Sequence, residues 1–508
     1  MFGKAETSAI VGIDARRVTV EADYGNGLPS FDMVGFLGSE VKEARERVRS
    51  ALKNAGITLP PGRLTINLSP ANLRKQGNSF DLAIAVAILI ALGEIREEQV
   101  RGFLFIGELA LDGGIRPVSG VIAHVLAAKE NGFRACIVPE ANRAEAAAVT
   151  DSVCYAFSAL GSLIAFLKGT ETRDALVPEA GTEQGTVFPD FIDVIGQESA
   201  KRAAEIAAAG MHALLLVGPP GSGKSMIARR IPGILPPPTL KEEIEITRIH
   251  SVAGLIPEGV GLITSRPFRS PHHTISTAAL VGGGRQPAPG EMSLAHAGVL
   301  FLDELPEFSQ NALDGMRQPL EEGRSVISRV YGTYSFPARV MLTAAMNPCK
   351  CGYYPDRRRC RCPENEVRRY LSRISGPLLD RFDLLVTVPS LSAEELEKRQ
   401  SGEETAVILK RVLAARKIQE ERYRNEPITT NSALSGALLK KYIRLDMKGK
   451  RLMTQAFDAL RLSARGYDRT LKLARTIADL KGEEEIREEA LSEAIFLRSA
   501  VREVFMRD

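Results

Sequence analysis

The residues with the clearest chemistry stand at the end of an apolar run. Leu214-Leu215-Leu216-Val217 reads as a buried strand and breaks into Gly218-Pro219-Pro220-Gly221-Ser222-Gly223-Lys224-Ser225, after which a helical pattern begins. This is G-x-x-x-x-G-K-[ST] in the strand-to-helix setting that gives the pattern its meaning. The glycines let the backbone curl until several N–H groups point inward at phosphate oxygens. Lys224 then reaches the β- and γ-phosphates, and Ser225 ligates Mg²⁺. A second apolar run, Val299-Leu300-Phe301-Leu302, closes on Asp303-Glu304. Two carboxylates at the carboxyl end of a buried parallel strand lie where open α/β sheets bind their ligands. Asp303 is expected to hold Mg²⁺ through water, and Glu304 to polarise the water that attacks the γ-phosphate. ATP and Mg²⁺ are the expected cofactors.

Cysteines form the second constellation. Cys136 and Cys154 stand apart, whereas Cys349, Cys351, Cys360 and Cys362 are bunched as C-x-C, eight residues, C-x-C. Four thiolates match the count of a structural zinc site, although such sites usually use C-x₂-C pairs. Two free-thiol pairs or a redox-labile disulfide are the alternatives. Arg357, Arg358, Arg359 and Arg361 crowd the same loop, either to grip phosphates or as a solvated face.

The elements that position these groups follow from patterning. The chain has 508 residues, 44% hydrophobic and 25% charged, enough for about three domains. A net charge of +4 announces no polyanion partner, so any nucleic-acid surface must be local. No apolar stretch approaches the roughly 18 residues of a membrane span and Met1-Phe2-Gly3-Lys4 leads into no secretory segment, which predicts a cytoplasmic protein. Residues 1–167 alternate strand and helix patterns, from Val11 to Val34, Val41 to Ala55, Leu64 to Leu68, Leu82 to Leu92, Phe103 to Leu111, Gly120 to Lys129 and Ala135 to Pro139, and read as an α+β domain. Residues 168–189 are Gly-, Thr-, Glu- and Pro-rich and read as a linker. The phosphate-loop module is expected over 190–390, with the cysteine insertion at 347–363, and a helical domain over 391–508. The module's pattern includes helices over Ser199 to Ala209 and Asn311 to Glu322, a projecting β-hairpin over Val326 to Arg339, and a buried strand Val340 to Met346 that ends at Asn347. The overall fold class is α/β.

Several stretches resemble known families. Gly107 to Gly120, Leu126-Ala127-Ala128 and Val138 to Asn142 look like the proteolytic domain of Lon-type proteases, with Ser79 in Gly77-Asn78-Ser79-Phe80-Asp81 where that family carries its nucleophile. The family's dyad needs a lysine near the start of the helix after Gly120, and this chain has Val121 and Ile122 there. An apolar side chain cannot take the serine's proton, so the domain reads as Lon-like without peptidase activity and Ser79 as structural. Asp193-Val194-Ile195-Gly196-Gln197 resembles the adenine-facing segment of AAA+ ATPases. That resemblance implies that Asn347 is the sensor positioning the attacking water, that Arg381 in Leu378-Leu379-Asp380-Arg381-Phe382-Asp383 is the finger reaching a neighbouring subunit, and that Arg475, with Arg469 as fallback, touches the nucleotide of its own subunit.

Taken whole, nearly all of the chain resembles the ComM/YifB family of magnesium-chelatase-like AAA+ proteins, including the peptides Arg266 to Thr274 and Leu294 to Phe308. His272 and His273 are expected to be structural. The resemblance implies a hexameric ATP-driven motor on single-stranded or branched DNA, acting in recombination during natural transformation. Arg285 in the glycine-rich segment Val281 to Arg285, and Arg329, Tyr331 and Tyr334 on the hairpin, are the candidate phosphate contacts and stacking face. A chelatase-type metal-insertion motor and a protein-binding regulator are the competing readings.

Overall fold

The computed structural model describes residues 1–177, 187–330, 332–391 and 402–499. A long antiparallel pair, β1 (Phe2–Val11) and β2 (Asp14–Gly25), turns at Gly12-Ile13. β3 (Ser30–Val34) and β4 (Arg63–Ser69) extend it on one side. β5 (Phe103–Phe105) follows on the other side, then a small hairpin of β6 (Glu108–Leu109) and β7 (Ile115–Arg116), then β8 (Ala135–Pro139) and β9 (Cys154–Phe157). Among the described residues they make a seven-stranded sheet in the order β3-β4-β2-β1-β5-β8-β9. Its two faces pack separate cores. Phe103 and Phe105 join the cluster under the helices Ser39–Asn54 and Asp81–Ala91, whereas Leu104 between them joins the cluster under Val121–Glu130, the period of two that a strand imposes.

The second sheet carries the phosphate loop. In chain order its region contains β10 (Leu214–Val217), β11 (Phe268–Arg269), the hairpin β12 (Gly282–Gly283) and β13 (Ala288–Pro289), β14 (Val299–Leu302), the hairpin β15 (Arg324–Arg329) and β16 (Gly332–Pro337), β17 (Met341–Met346) and β18 (Leu384–Thr387). β11-β14-β17-β10-β18 form a parallel sheet. β10, β14 and β17 are buried throughout, as strands covered on both faces must be. The helix expected over Asn311 to Glu322 is two helices, Gln310–Gly315 and Arg317–Glu322. Pro319 has no N–H to offer the Gly315 carbonyl, so one continuous ladder is impossible.

Beyond β18 lie the helices Thr405–Arg422, Met447–Ala459, Ala464–Leu480 and Glu488–Ser499. Residues 392–401 and 500–508 of the expected helical domain lie outside the described residues, as do 178–186 of the expected linker. The part of that linker just after residue 168 is tied to the first sheet, with Leu176 N donating to Cys154 O at 2.8 Å and Arg173 Nε to Ala156 O at 3.1 Å. No helix of the described residues is long and apolar enough to cross a membrane.

Two joints hold the parts together. At the first, the β1–β2 turn docks on the module: Ile13 packs with Ile249, Leu294, Ile327 and Phe336. Beside it, Gly120 N donates to Ser251 Oγ at 2.9 Å, and Ser251 in turn donates to Glu145. Glu145 also accepts from Ile122 N at 2.8 Å; burial raises its pKa, and the hydrogen bonds from Ser251, Ile122 and Asn142 oppose that rise. The helix start where the Lon dyad would place its lysine is thus occupied by an interdomain contact. At the second joint, Arg469 on helix Ala464–Leu480 donates to Asp383 Oδ1 at 2.9 Å, and His212 Nε2 lies 2.7 Å from Thr476 Oγ1. Burial pushes the Asp383 carboxyl up, but His212 and then Arg469 outweigh it and hold the pKa well below the usual carboxylate range.

Within the helical domain one carboxylate organises three donors. Asp479, fully buried, accepts from Arg422 Nη1 at 2.9 Å, Arg475 Nε at 3.1 Å and Asn431 Nδ2 at 2.8 Å. Removing one member of a buried charge network strands its partners, at a cost of about 3–5 kcal/mol. Asp479→Ala is therefore expected to lower the unfolding transition of the helical domain sharply in scanning calorimetry, with the first domain's transition unmoved.

Candidate nucleotide site

The phosphate loop is shaped by contacts on both flanks. At its start, Gly218 N donates to Met346 O at 3.1 Å, and a Cβ on Gly218 would sit 2.1 Å from Val388 O, so only glycine fits between the ends of β17 and β18. Gly221 and Gly223 have φ of +74° and +92°, the left-handed region in which an L side chain is strained, and a Cβ on Gly221 would meet nothing within 4 Å. Gln197 Nε2, at the end of the Asp193 to Gln197 segment, donates to Ser222 O at 3.2 Å and Pro389 O at 2.7 Å, tying that segment to the loop.

The expected side chains converge on it. Lys224 Nζ donates to Gly218 O at 2.8 Å, Pro219 O at 2.7 Å and Asn347 Oδ1 at 3.2 Å. Burial lowers its pKa to about 8, against the pull of Asp303. Ser225 Oγ donates to Asp303 Oδ2 at 2.6 Å, and Asp303 Oδ1 accepts from Glu304 N at 2.9 Å. The cation, the paired hydroxyl and carboxylate, the sensor amide and the open glycine turn are the donor set that a Mg²⁺-triphosphate requires, so the residues present fit ATP and Mg²⁺.

Glu304 has an unexpected partner. Its backbone is left-handed, φ +52°, a conformation that costs a non-glycine residue on the order of 1 kcal/mol, and its side chain is 58% exposed. His273 Nδ1 lies 3.2 Å from Glu304 Oε2, with the His273 ring tilted against His272 at 4.1 Å between centroids and edge-on to Phe308. His273, expected like His272 to be structural, faces the Glu304 carboxylate. β11 and β14 are parallel neighbours, so the loops that follow them emerge side by side and bring the two residues together. The sequence held the signal in Ser270-Pro271-His272-His273, but only strand order says which loop it faces.

The arginines are placed differently. Arg381 lies just before β18, at the amino end of the sheet, where Leu384 is in register with Leu214 at the start of β10. The phosphate loop leaves the carboxyl end of the same β10. Four residues of strand, roughly 13 Å, separate the two ends. Arg381 is 16% exposed and paired with Glu321; burial, then the cations Arg469, Arg465 and Arg317, lower its pKa. Arg469 Nη1 donates to Arg381 O at 2.5 Å, so it belongs to the same end. Arg475 is 3% exposed and donates to Asp479, Glu484 O and Glu483 O. Neither Arg475 nor the fallback Arg469 is presented to its own chain's phosphate loop, which corrects the expectation of a nucleotide contact within one subunit. Helix Ala464–Leu480, which carries both arginines, meets the sheet at its amino edge through Arg469, Asp383 and His212.

The remaining candidates divide. Cys349, Cys351, Cys360 and Cys362 come together, their sulfurs all within 4.8 Å of one another. Arg357 is held by Cys362 O, Glu364 and the Tyr354 ring, and Arg359 lies over Tyr353 at 4.0 Å, whereas Arg358 and Arg361 are exposed without a side-chain partner among the described residues. Arg329 Nε donates to Gly284 O at 3.3 Å, making it a strut between the two hairpins. Tyr334 is half-buried and packs on the Ile13 and Phe336 cluster. Arg285 is exposed at the β12–β13 tip, and Tyr331 lies outside the described residues. Ser79 is 8% exposed, and Val121 and Ile122 are buried.

Fold and site together define a P-loop ATPase module of the AAA+ type, joined to a Lon-protease-like domain. Models described as subunit ChlI of magnesium chelatase match residues 190–396 and 20–142, and one for the C-terminal part of that subunit matches 402–498. The chain is 44% identical over 502 residues to competence protein ComM of Haemophilus influenzae, covering 97% of each. It is 42% identical over 497 residues to the uncharacterized protein YifB of Salmonella typhimurium, covering 98% of this chain and 97% of that one. Lon protease of Mycolicibacterium smegmatis is 29% identical over 150 residues, 28% of this chain and 19% of that one. The chain belongs to the ComM/YifB family of magnesium-chelatase-like AAA+ proteins, and family and site together support an ATPase role.

Lys224 and Arg475 make a matched pair of tests. Lys224→Ala is expected to abolish nucleotide binding with little change in thermal stability, because it removes the group aimed at phosphate. Arg475→Ala is expected to do the reverse, lowering the melting temperature while the folded protein's Kd for nucleotide moves less than about twofold, since its contacts are structural.

Proposed function

We propose that the chain is an ATP-driven motor that assembles as a ring, hexameric in the manner of AAA+ proteins, and moves single-stranded or branched DNA in recombination or natural transformation. The observation that carries the ring is the separation of Arg381 from the phosphate loop by the length of the sheet. A finger at one end and a cradle at the other complete each other only between adjacent copies, in a head-to-tail contact that closes on itself. Ser225 and Asp303 hold Mg²⁺ and Lys224 the β- and γ-phosphates. Asn347 and Glu304 orient the attacking water, with His273 setting where the Glu304 carboxylate rests. The neighbour's Arg381, with Arg469 and Arg465 beside it, supplies cationic charge as the γ-phosphoryl group leaves, an effect worth about 10³–10⁵ in rate for such fingers.

DNA is the proposed load, and it meets the hairpins. Arg285 is exposed with no side-chain partner among the described residues, and Val330 at the tip of the second hairpin is 94% exposed. The Haemophilus relative, a competence protein by name, agrees with this reading. The Lon-like domain works without peptidase chemistry, and the protein acts in the cytoplasm. In that compartment the four cysteines hold zinc. The separations among Cys349, Cys351 and Cys360, 3.3, 3.5 and 3.7 Å, approach the roughly 3.8 Å edge of a tetrahedron with Zn–S bonds of about 2.3 Å, and all four sulfurs lie within 4.8 Å of one another. The matches to magnesium chelatase favour a second reading, a motor for metal insertion into a tetrapyrrole.

ATPase assays with branched DNA, with a tetrapyrrole-loaded partner complex or with unfolded protein separate these readings. Stimulation by DNA alone is expected; indifference to DNA with stimulation by either of the others would replace the reading. Arg329→Ala should leave basal ATPase intact and weaken strand displacement by loosening the brace between the hairpins, and unchanged unwinding would take the hairpin out of the mechanism.

A further inference from the structure

The cysteine loop does more than sit near the nucleotide. β17 ends at Met346, whose carbonyl receives Gly218 N; the next residue, Asn347, receives Lys224 Nζ; and Cys349 follows two residues later, fully buried. The chain then doubles back. Gly352, at φ +84°, donates its N–H to Cys349 O at 3.0 Å, and it lies so close to the phosphate loop that a Cβ there would stand 2.3 Å from Pro220 Cδ and 2.8 Å from Pro220 Cγ. Cys349 and Cys360 share an apolar cluster with Val217 and Met346, the last residues of the strands that carry the loop and the sensor.

Between Met346 and the helix Glu364–Leu371 no residue is in a helix or strand. A loop of this length inside a compact module needs something to fix it. Backbone turns at Gly352, Asp356, Arg359 and Cys360 contribute, but the convergence of four sulfurs is its densest point.

We infer that the four-cysteine centre controls nucleotide binding: a thiophilic divalent ion seated there holds Gly352 against Pro220 and so keeps the phosphate loop in its binding shape. The inference rests on the metal reading above and adds its consequence. Thiolates select zinc-like ions over Mg²⁺, whereas the Ser225 and Asp303 oxygens do the opposite, so the two sites answer to different metals. ATP affinity then follows the supply of the thiophilic ion.

The test uses full-length protein, with metal content measured by mass spectrometry and affinity for a fluorescent ATP analogue measured with Mg²⁺ in excess. As purified, the protein is expected to carry one zinc per chain. Stripping it with a chelator, or Cys360→Ser, should weaken nucleotide binding by about tenfold or more, as small displacements of a binding frame do, and zinc but not further Mg²⁺ should restore the stripped protein. Gly352→Ala separates the steps, because it keeps all four thiols. It should retain zinc and still lose affinity. Circular dichroism and melting curves establish that each variant is folded. Protein that binds no zinc would overturn the metal reading itself. Zinc-loaded protein whose affinity is the same after stripping, or a zinc-loaded Gly352→Ala variant that binds like the parent, would overturn the coupling and leave the metal reading standing.

Discussion

Parallel strands put every carboxyl end on one edge of a sheet and every amino end on the other, and in this protein that polarity sets the phosphate loop and Arg381 at opposite edges, the separation on which the proposed ring rests. β10 delivers the phosphate loop at its carboxyl end, where β14 and β17 deliver Asp303, Glu304 and Asn347. β18, paired in register on the other side of β10, is preceded by Arg381 at the opposite edge. Side chains do not span the distance between them. In the proposed ring the cradle of one copy therefore meets the Arg381 guanidinium of the next.

That division explains where the other parts attach. Helix Ala464–Leu480 of the helical domain meets the arginine edge through Arg469, Asp383, His212 and Thr476. The Lon-like domain docks on the hairpins instead. Its β1–β2 turn sits against Ile327 and Phe336, and Glu40 at the start of its first helix accepts from Gln286 Nε2 at 3.4 Å, beside the exposed Arg285. The domain thus touches both candidate DNA elements. Helix Leu240–Val252, started by the Thr239 and Glu242 capping box, carries Ser251 and Ile249 into the same joint.

Much of this was legible in the sequence where chemistry demands particular residue types at fixed spacing. Ser225 meets Asp303, Lys224 meets Asn347, and the four cysteines meet one another. What the sequence hid depended on which elements become neighbours. β1 escapes the eye because Phe2-Gly3-Lys4-Ala5-Glu6-Thr7-Ser8 buries mainly small residues and shows little apolar alternation. His273 reads as an ordinary loop histidine until β11 is known to lie beside β14. Arg475 and Arg469 share a helix pattern that a lid contacting its own nucleotide would also show, and only the docking edge separates the two arrangements. Tyr334 and Arg329 look available for nucleic acid in a hairpin considered alone, and are committed once the Lon-like domain and the glycine hairpin pack against it.

The division of the ATP site between copies is tested most directly by mixing two variants that are each expected to be inactive, Lys224→Ala, which loses the cradle, and Arg381→Ala, which loses the finger. In a randomly mixed ring about a quarter of the interfaces join an intact cradle to an intact finger. ATPase activity that appears on mixing and subunit exchange, at about that fraction of the parent's, is the predicted result. No recovery from exchanged rings, or an Arg381→Ala protein that hydrolyses ATP at the parent's rate by itself, would contradict the account.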